Sequence, residues 1–231
     1  MRCVPLQLCA HHPFTSSLQH SVFSMHIALF GATGRVGGRL LEYALAEGHT
    51  VRALVRDPAK LAPRAGLTIL AGDVLDPAAV RETITGTEAV LSGLGGAGLQ
   101  DPGEAQSQGM RNIVAAMTAL GVTRVLGVAG GGILDSPHGG LRHDQPTFPA
   151  VFKGVSDRHK AAWTAMRESD LDWTMVCTGD ILPGERTGIY RWLDDQLPEG
   201  GNRISVEDVA HFLLDEMTAR RHVRRRVGLG Y

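Results

Sequence analysis

Three glycines, Gly31, Gly34 and Gly37, recur every third residue in the stretch FGATGRVGG. Residues without side chains at such a spacing can do one chemical job well: they let a main chain close around a phosphate. Gly31 would permit a tight turn, Gly34 a close approach of backbone to pyrophosphate, and Gly37 close packing of a helix on a strand. Thr33, Arg35 and Val36 fall within the same loop and helix start. The spacing is G-x-x-G-x-x-G, shifted from the dinucleotide fingerprint G-x-G-x-x-G, so its setting must decide its meaning. About 20 residues on, where an NAD site places an acid for the ribose hydroxyls, stands LVRDPAK. Arg56 takes that place, with Lys60 beyond it and Arg35 in the glycine loop. Three cations could surround a 2′-phosphate, and arginine can grip one with two hydrogen bonds. Asp57 argues the other way: it could accept from a ribose, or simply begin a turn before Pro58. The balance predicts NADPH as cofactor, with NAD second.

The elements around the motif supply the setting it needs. His26 to Phe30 is a short apolar run ending at glycine, which reads as a buried strand. Val36, Leu40, Leu41, Ala44 and Leu45 then recur at helical spacing up to Gly48. Strands follow at residues 50–56, 67–73, 89–94, 124–130 and 172–178. Asp76 before Pro77 reads as a helix N-cap with proline in the first turn. Met110, Ile113, Val114 and Met117 face one way on a helix that Gly121 stops. A long glycine- and proline-rich stretch from Gly131 to about Gly154 has the character of a functional loop, and a helix over about 157–168 follows it. Ser205 and Asp208 resemble a capping box ahead of Val209, Phe212 and Leu213. RRVGLGY, at residues 225–231, reads as an edge strand. Strand and helix alternate throughout. The expected fold is therefore α/β: a single Rossmann-like, doubly wound, mostly parallel sheet with helices on both faces.

Composition narrows the partners. A formal net charge of −1 over 231 residues gives no field toward nucleic acid. No run approaches the ~18 apolar residues of a membrane span. The arginines at 220, 221, 224, 225 and 226 read as a solvated helix end leading into a surface strand. Cys3, Cys9 and Cys177 make no disulfide or metal framework, and no partner ligands complete a site with Cys9, His11 and His12. No metal is expected. A reduced, cytoplasmic protein acting on a small molecule is, as a monomer or homodimer. Residues 1–24 lack any sustained period and read as an upstream-start extension or loose tail, leaving 25–231 as the folded domain with its substrate loop.

The stretches GATGRVGGRLLEYALAEGHTVRALVRDPAKL, GDVLDPAAV, RNIVAAMTALGVTRVLGV and HKAAWTAMRESDLDWTMV resemble the atypical short-chain dehydrogenase/reductases. The resemblance covers nearly everything from Met25 onward. It is closest to the NmrA-like branch that includes biliverdin reductase B, which is also a flavin reductase. It implies that Asp73 and Val74 flank an adenine, that Leu94, Gly95 and Gly96 line the middle of the cofactor, and that the loop after Ala129 and Gly130 covers the nicotinamide.

The departures from the family pattern bear on mechanism. A Tyr-x-x-x-Lys pair would put its lysine near His159 or Lys160 and its tyrosine near Val155 or Ser156, and no tyrosine is there. The branch's Ser or Thr at the end of the fifth strand is replaced by Gly130, and the nearest downstream hydroxyl is Ser136. Two functions remain open. One is an NADPH-dependent reductase whose planar acceptor (flavin, tetrapyrrole or quinone) needs positioning more than proton transfer. Its pocket would be lined by Phe148, Phe152 and Trp163, with His159, His143 and Ser136 as candidate donors. His159 could equally be a surface histidine and the aromatics plain core. The other is an NADP(H)-binding redox sensor that does not turn over.

Overall fold

The computed structural model describes residues 24–95 and 103–231. The readings made for residues 1–23, including Cys3, Cys9, His11 and His12, and for Gly96 lie outside the described residues. The described residues include ten strands and five α-helices. The strands are β1 (His26–Phe30), β2 (Thr50–Val55), β3 (Leu67–Ala71), β4 (Ala89–Ser92), β5 (Arg124–Gly130), β6 (Asp172–Thr178), β7 (Asp180–Leu182), β8 (Arg191–Asp194), β9 (Arg203–Ser205) and β10 (Arg225–Gly230). The helices are α1 (Arg35–Ala46), α2 (Pro77–Ile84), α3 (Ser107–Leu120), α4 (Lys153–Arg167) and α5 (Val206–Ala219). Their alternation is broken twice: β2 leads into β3 with no α-helix between them, and β6 to β9 follow one another before α5.

Eight strands form one sheet in the order β3-β2-β1-β4-β5-β6-β10-β8, parallel except for β8. β7 and β9 make a separate parallel pair. The period-2 alternation of a strand buried on both sides sorts side chains to two cores. From β1, Ile27 and Leu29 join α1 and α5, while Ala28 and Phe30 join α2, α3 and α4. The sheet order reverses between β1 and β4, and such a switch point opens a crevice at the carboxyl ends of the strands.

Two expectations are corrected at the C-terminus. β10 is an interior strand, paired with β6 on one side and β8 on the other. Its sequence allows this because Val227 and Leu229 are fully buried and its glycines let another chain segment cross closely. A Cβ on Gly228 would sit 1.9 Å from the Gln196 carbonyl oxygen. The edge is instead β8, whose RWLD was assigned to no strand. Nor is the whole arginine run solvated. Arg226 is buried, with Nη2 2.7 Å from Asp135 and Nε 2.9 Å from Asp195, and it also donates to the Ile133 carbonyl. It thereby ties the segment after β5 to the sheet.

The capping box ahead of α5 is half realised. Ser205 Oγ accepts from the Asp208 amide at 3.0 Å. The Asp208 carboxylate does not return the bond; it accepts from Thr187, Gly188 and the Tyr231 hydroxyl. Of the helices among the described residues, none is long and apolar enough to cross a membrane.

Candidate functional site

The turn from β1 into α1 is built to approach something closely. Gly31 has φ +84°, a conformation that suits glycine, and a Cβ there would lie 2.7 Å from the Gly93 carbonyl. A Cβ on Gly37 would lie 2.0 Å from the Gly31 oxygen, so α1 can rest on the loop only with glycine at that position. Gly34 is the N-cap of α1 and brings no side-chain cap; no acid lies in the first turn. The first amides of a helix, with the positive end of its dipole, then face the cleft ready for an anion.

That cleft, about 430 Å³, runs along the ends of β1 to β4. Its walls include Gly31, Thr33, Gly34, Val55, Arg56, Asp73, Val74, Leu94 and Gly95. Val36 and Gly37 lie behind the loop, buried under it. Asp73 is held by accepting from the Leu75 amide at 2.9 Å, and Asn112 Nδ2 donates to the Val74 carbonyl at 2.9 Å. Asp57 caps the short turn Pro58–Lys60 by accepting from the Ala59 amide at 3.1 Å. Of the three expected cations only Arg56 lines the cleft. Lys60 is exposed on the turn beyond it. Arg35 reaches the other way and donates to the Ile181 carbonyl at 2.8 Å. Gly93 and Gly72 belong to the walls as well; Gly72 opens the GDVLDPAAV stretch but was assigned no role in the site, and Gly93 was not picked out in the sequence. For Gly93 the signal was there: a small residue where β4 meets the glycine loop, whose Cβ would touch Gly37 Cα at 2.9 Å.

A second cavity, about 460 Å³, opens at the ends of β5 and β6. Gly130, Gly131 and Gly132 form one side, Phe148, Phe152, Val155, Ser156 and His159 another, and Thr178 and Asn202 a third. Phe148 and Phe152 therefore stand where expected. Trp163 does not: it is buried in the core behind α4, with the guanidinium carbons of Arg226 and Arg167 at 4.3 and 4.6 Å from its ring centroid. His143 lies behind Phe148, ring centroids 5.4 Å apart, and its Nε2 is 3.2 Å from Asp157, outside the cavity lining. Ser136 Oγ accepts from the His138 amide at 3.2 Å within its own turn, also outside the lining. Ala129 is buried in the core next to Gly130.

His159 joins the two spaces. Its Nδ1 accepts from the Gly130 amide at 3.0 Å, so in the neutral ring the proton resides on Nε2. Burial holds the ring neutral, lowering its pKa to about 4. Nε2 lies 2.8 Å from the side-chain amide of Gln106, which also lies 3.0 Å from the Leu94 carbonyl. The Leu94 carbonyl accepts only from the amide N–H, whereas His159 Nε2–H needs the amide oxygen. Gln106 can thus serve one partner at a time, one on the cleft and one on the cavity. An imidazolium would lose the Gly130 bond as well, so His159 at neutral pH is a donor through Nε2–H and a poor acid.

Among the described residues, no three His, Cys, Asp or Glu side chains gather as a metal ion would need. Cys177 is fully buried, and burial pushes its thiol pKa up. The groups that converge suit a dinucleotide: a main-chain cradle that any Cβ would fill, an uncapped helix start and a cation where the second strand ends.

Comparison with known proteins points the same way. A candidate exported protein from Burkholderia pseudomallei has a structure with TM-score 0.78 and 33% identity, covering 90% of this chain and 100% of its own. A candidate NADH-flavin reductase from Streptococcus pneumoniae superposes with TM-score 0.74 at 26% identity over 90% of this chain and 99% of its own. The anaerobilin reductase ChuY from Escherichia coli O157:H7 does so with TM-score 0.75 at 25% identity, covering 88% and 96%. Residues 31–220 match the model of the NAD(P)H-binding family, which spans the glycine loop, both cavities and every helix up to α5; the chain belongs to that family.

Proposed function

We propose that the chain is an NADPH-dependent reductase that delivers hydride to a planar acceptor such as a flavin, a tetrapyrrole or a quinone. One observation carries the reading. A main-chain cleft and an aromatic-walled cavity stand side by side at the carboxyl edge of the sheet and share Gln106 between them. The nicotinamide supplies the hydride when the cofactor is bound. The chain's own groups bind and orient. Gly31, Gly34 and the first amides of α1 hold the pyrophosphate, Asp73 and Val74 flank the adenine, and Leu94 and Gly95 line the middle. Arg56 favours a 2′-phosphate, and Asp57 is engaged in capping the next turn rather than free for a ribose. Phe148 and Phe152 offer flat apolar faces to the acceptor. The likeness to a candidate NADH-flavin reductase and to an anaerobilin reductase supports acceptors of this shape. We place the protein in the cytoplasm, as a monomer or homodimer.

Gly130 favours a second reading. It removes the hydroxyl that the branch presents at the end of β5, as expected of an NADP(H)-binding regulator that reports redox state without turnover. Following NADPH absorbance with FMN, riboflavin, biliverdin and simple quinones separates the two. Oxidation above the rate without protein supports the reductase, and none with any acceptor leaves the regulator.

A further inference from the structure

We infer that Ser156 is the hydroxyl that meets the acceptor, in place of the missing tyrosine and the missing serine or threonine. The inference rests on the reductase reading and adds to it a residue and a substrate feature. Ser156 lies in the first turns of α4 and is only 4% exposed. Its Oγ is buried and has no hydrogen-bond partner among the described residues, and the residue lines the cavity. A serine in a helix ordinarily returns its hydroxyl to a carbonyl one turn back. Leaving a buried hydroxyl unpaired opposes folding, and such a group in a native structure calls for a partner.

The chain keeps any side chain away from this buried hydroxyl on the Gly132 side. A Cβ on Gly132 would lie 2.5 Å from Ser156 Oγ and 2.9 Å from Phe148 Cζ. Glycine at 132 thus leaves the hydroxyl against bare backbone, beside the Phe148 ring. Two other groups of the cavity are already engaged: His159 Nδ1 accepts from the Gly130 amide, and the Thr178 hydroxyl donates to the Gly179 carbonyl at 3.1 Å. Ser156 is the hydroxyl left to donate. The acceptor it selects carries a hydrogen-bond-accepting heteroatom, a carbonyl oxygen or ring nitrogen, on the edge of its planar system. The hydroxyl orients that atom and draws electron density toward it; it need not give up its proton.

The test uses the full chain saturated with NADP⁺ and titrated with FMN, read by flavin fluorescence. Ser156→Ala should weaken FMN by about three- to tenfold, the loss of one neutral hydrogen bond. It should leave NADPH affinity unchanged and hold or raise the melting temperature, because an unpaired buried polar group is removed. Gly132→Ala, which crowds the hydroxyl without deleting it, should weaken FMN likewise and spare NADPH. Unchanged FMN affinity in both variants overturns the role of Ser156 while the reductase reading stands. A melting temperature several degrees lower for Ser156→Ala also overturns it, because the hydroxyl would then have a structural partner. A native protein that binds no FMN and turns over no acceptor overturns both.

Discussion

The glycine-lined cleft bares its main chain where the cofactor's phosphates are expected, whereas the neighbouring cavity is walled by aromatic and polar side chains of one helix and the turn before it. In the cleft, Gly31, Gly34, Gly72, Gly93 and Gly95 leave the backbone bare, and specificity is left to a few residues such as Arg56. In the cavity, Phe148, Phe152, Val155, Ser156 and His159 project from one helix and the turn before it onto a glycine floor at 130–132. A site made of backbone fails when a side chain is added. A site made of side chains changes its preferences when one is exchanged. The two regions should therefore respond to mutation in different ways.

The largest effect is expected in the cleft. Gly34 has φ −86°, so valine can adopt its backbone, but a Cβ would press to 3.2 Å from the Gly31 oxygen and occupy the approach to the pyrophosphate. Gly34→Val should weaken NADPH by at least about 100-fold, near 2.8 kcal/mol, while the domain still unfolds cooperatively. Calorimetric titration with native NADPH affinity in this variant would reduce the glycine loop to a turn.

Next comes the cavity, seen through pH. His159 titrates near 4 in the folded chain because burial disfavours its charge, against about 6.5 when unfolded. Between those values the unfolded chain binds a proton that the folded chain does not. Stability is therefore whole above about pH 6.5 and falls as pH drops toward 4, by about 2 kcal/mol at pH 5 from this group. Urea midpoints for native protein and His159→Asn at pH 7.5 and 5 isolate the contribution. Equal losses in the two proteins would show that His159 does not set this dependence.

Arg56 comes third. Its removal takes away charge-assisted hydrogen bonds to a 2′-phosphate, so Arg56→Ala should weaken NADPH by roughly tenfold and spare NADH. Equal affinity of the native protein for both cofactors would break the cleft's side of the contrast, because the cation would then select nothing.

The same contrast explains what could be read in the sequence. The sheet, its helices and the glycine loop follow from local signals: apolar runs ending in glycine, helical spacing at Val36, Leu40 and Leu41, and a capped Asp76-Pro77 start. The cavity depends on how far along α4 its wall extends. Ser156, His159 and Trp163 stand at i, i+3 and i+7 and share one helix face, yet the cavity takes the first two and the core takes Trp163, two turns beyond Ser156, a division that spacing alone does not fix. Arg35 misled for a related reason. Its position in the loop is legible, but the carbonyl it reaches, at Ile181, belongs to β7, a short strand that carries no strong pattern. β10 was read as an edge because nothing nearby in sequence announces β8 as its partner.

The smallest effect concerns Gly130 and tests whether the cavity truly lacks a hydroxyl. Its φ is −80°, so serine introduces no backbone strain. A Cβ there would meet His159 Nδ1 at 3.2 Å and Cε1 at 3.4 Å, and the imidazole needs to shift by only a few tenths of an ångström. The restored hydroxyl would stand against a ring already fixed by the Gly130 amide, across the cavity from Ser156. If Ser156 meets the acceptor, the second hydroxyl is redundant. Gly130→Ser should then change turnover with FMN or biliverdin by less than about threefold, whereas a missing general acid restored to its place is worth about 100-fold. Steady-state rates, with melting curves to show that the variant is intact, decide between these. A gain near 100-fold would assign the hydroxyl's role to the end of β5 and leave Ser156 as part of the wall.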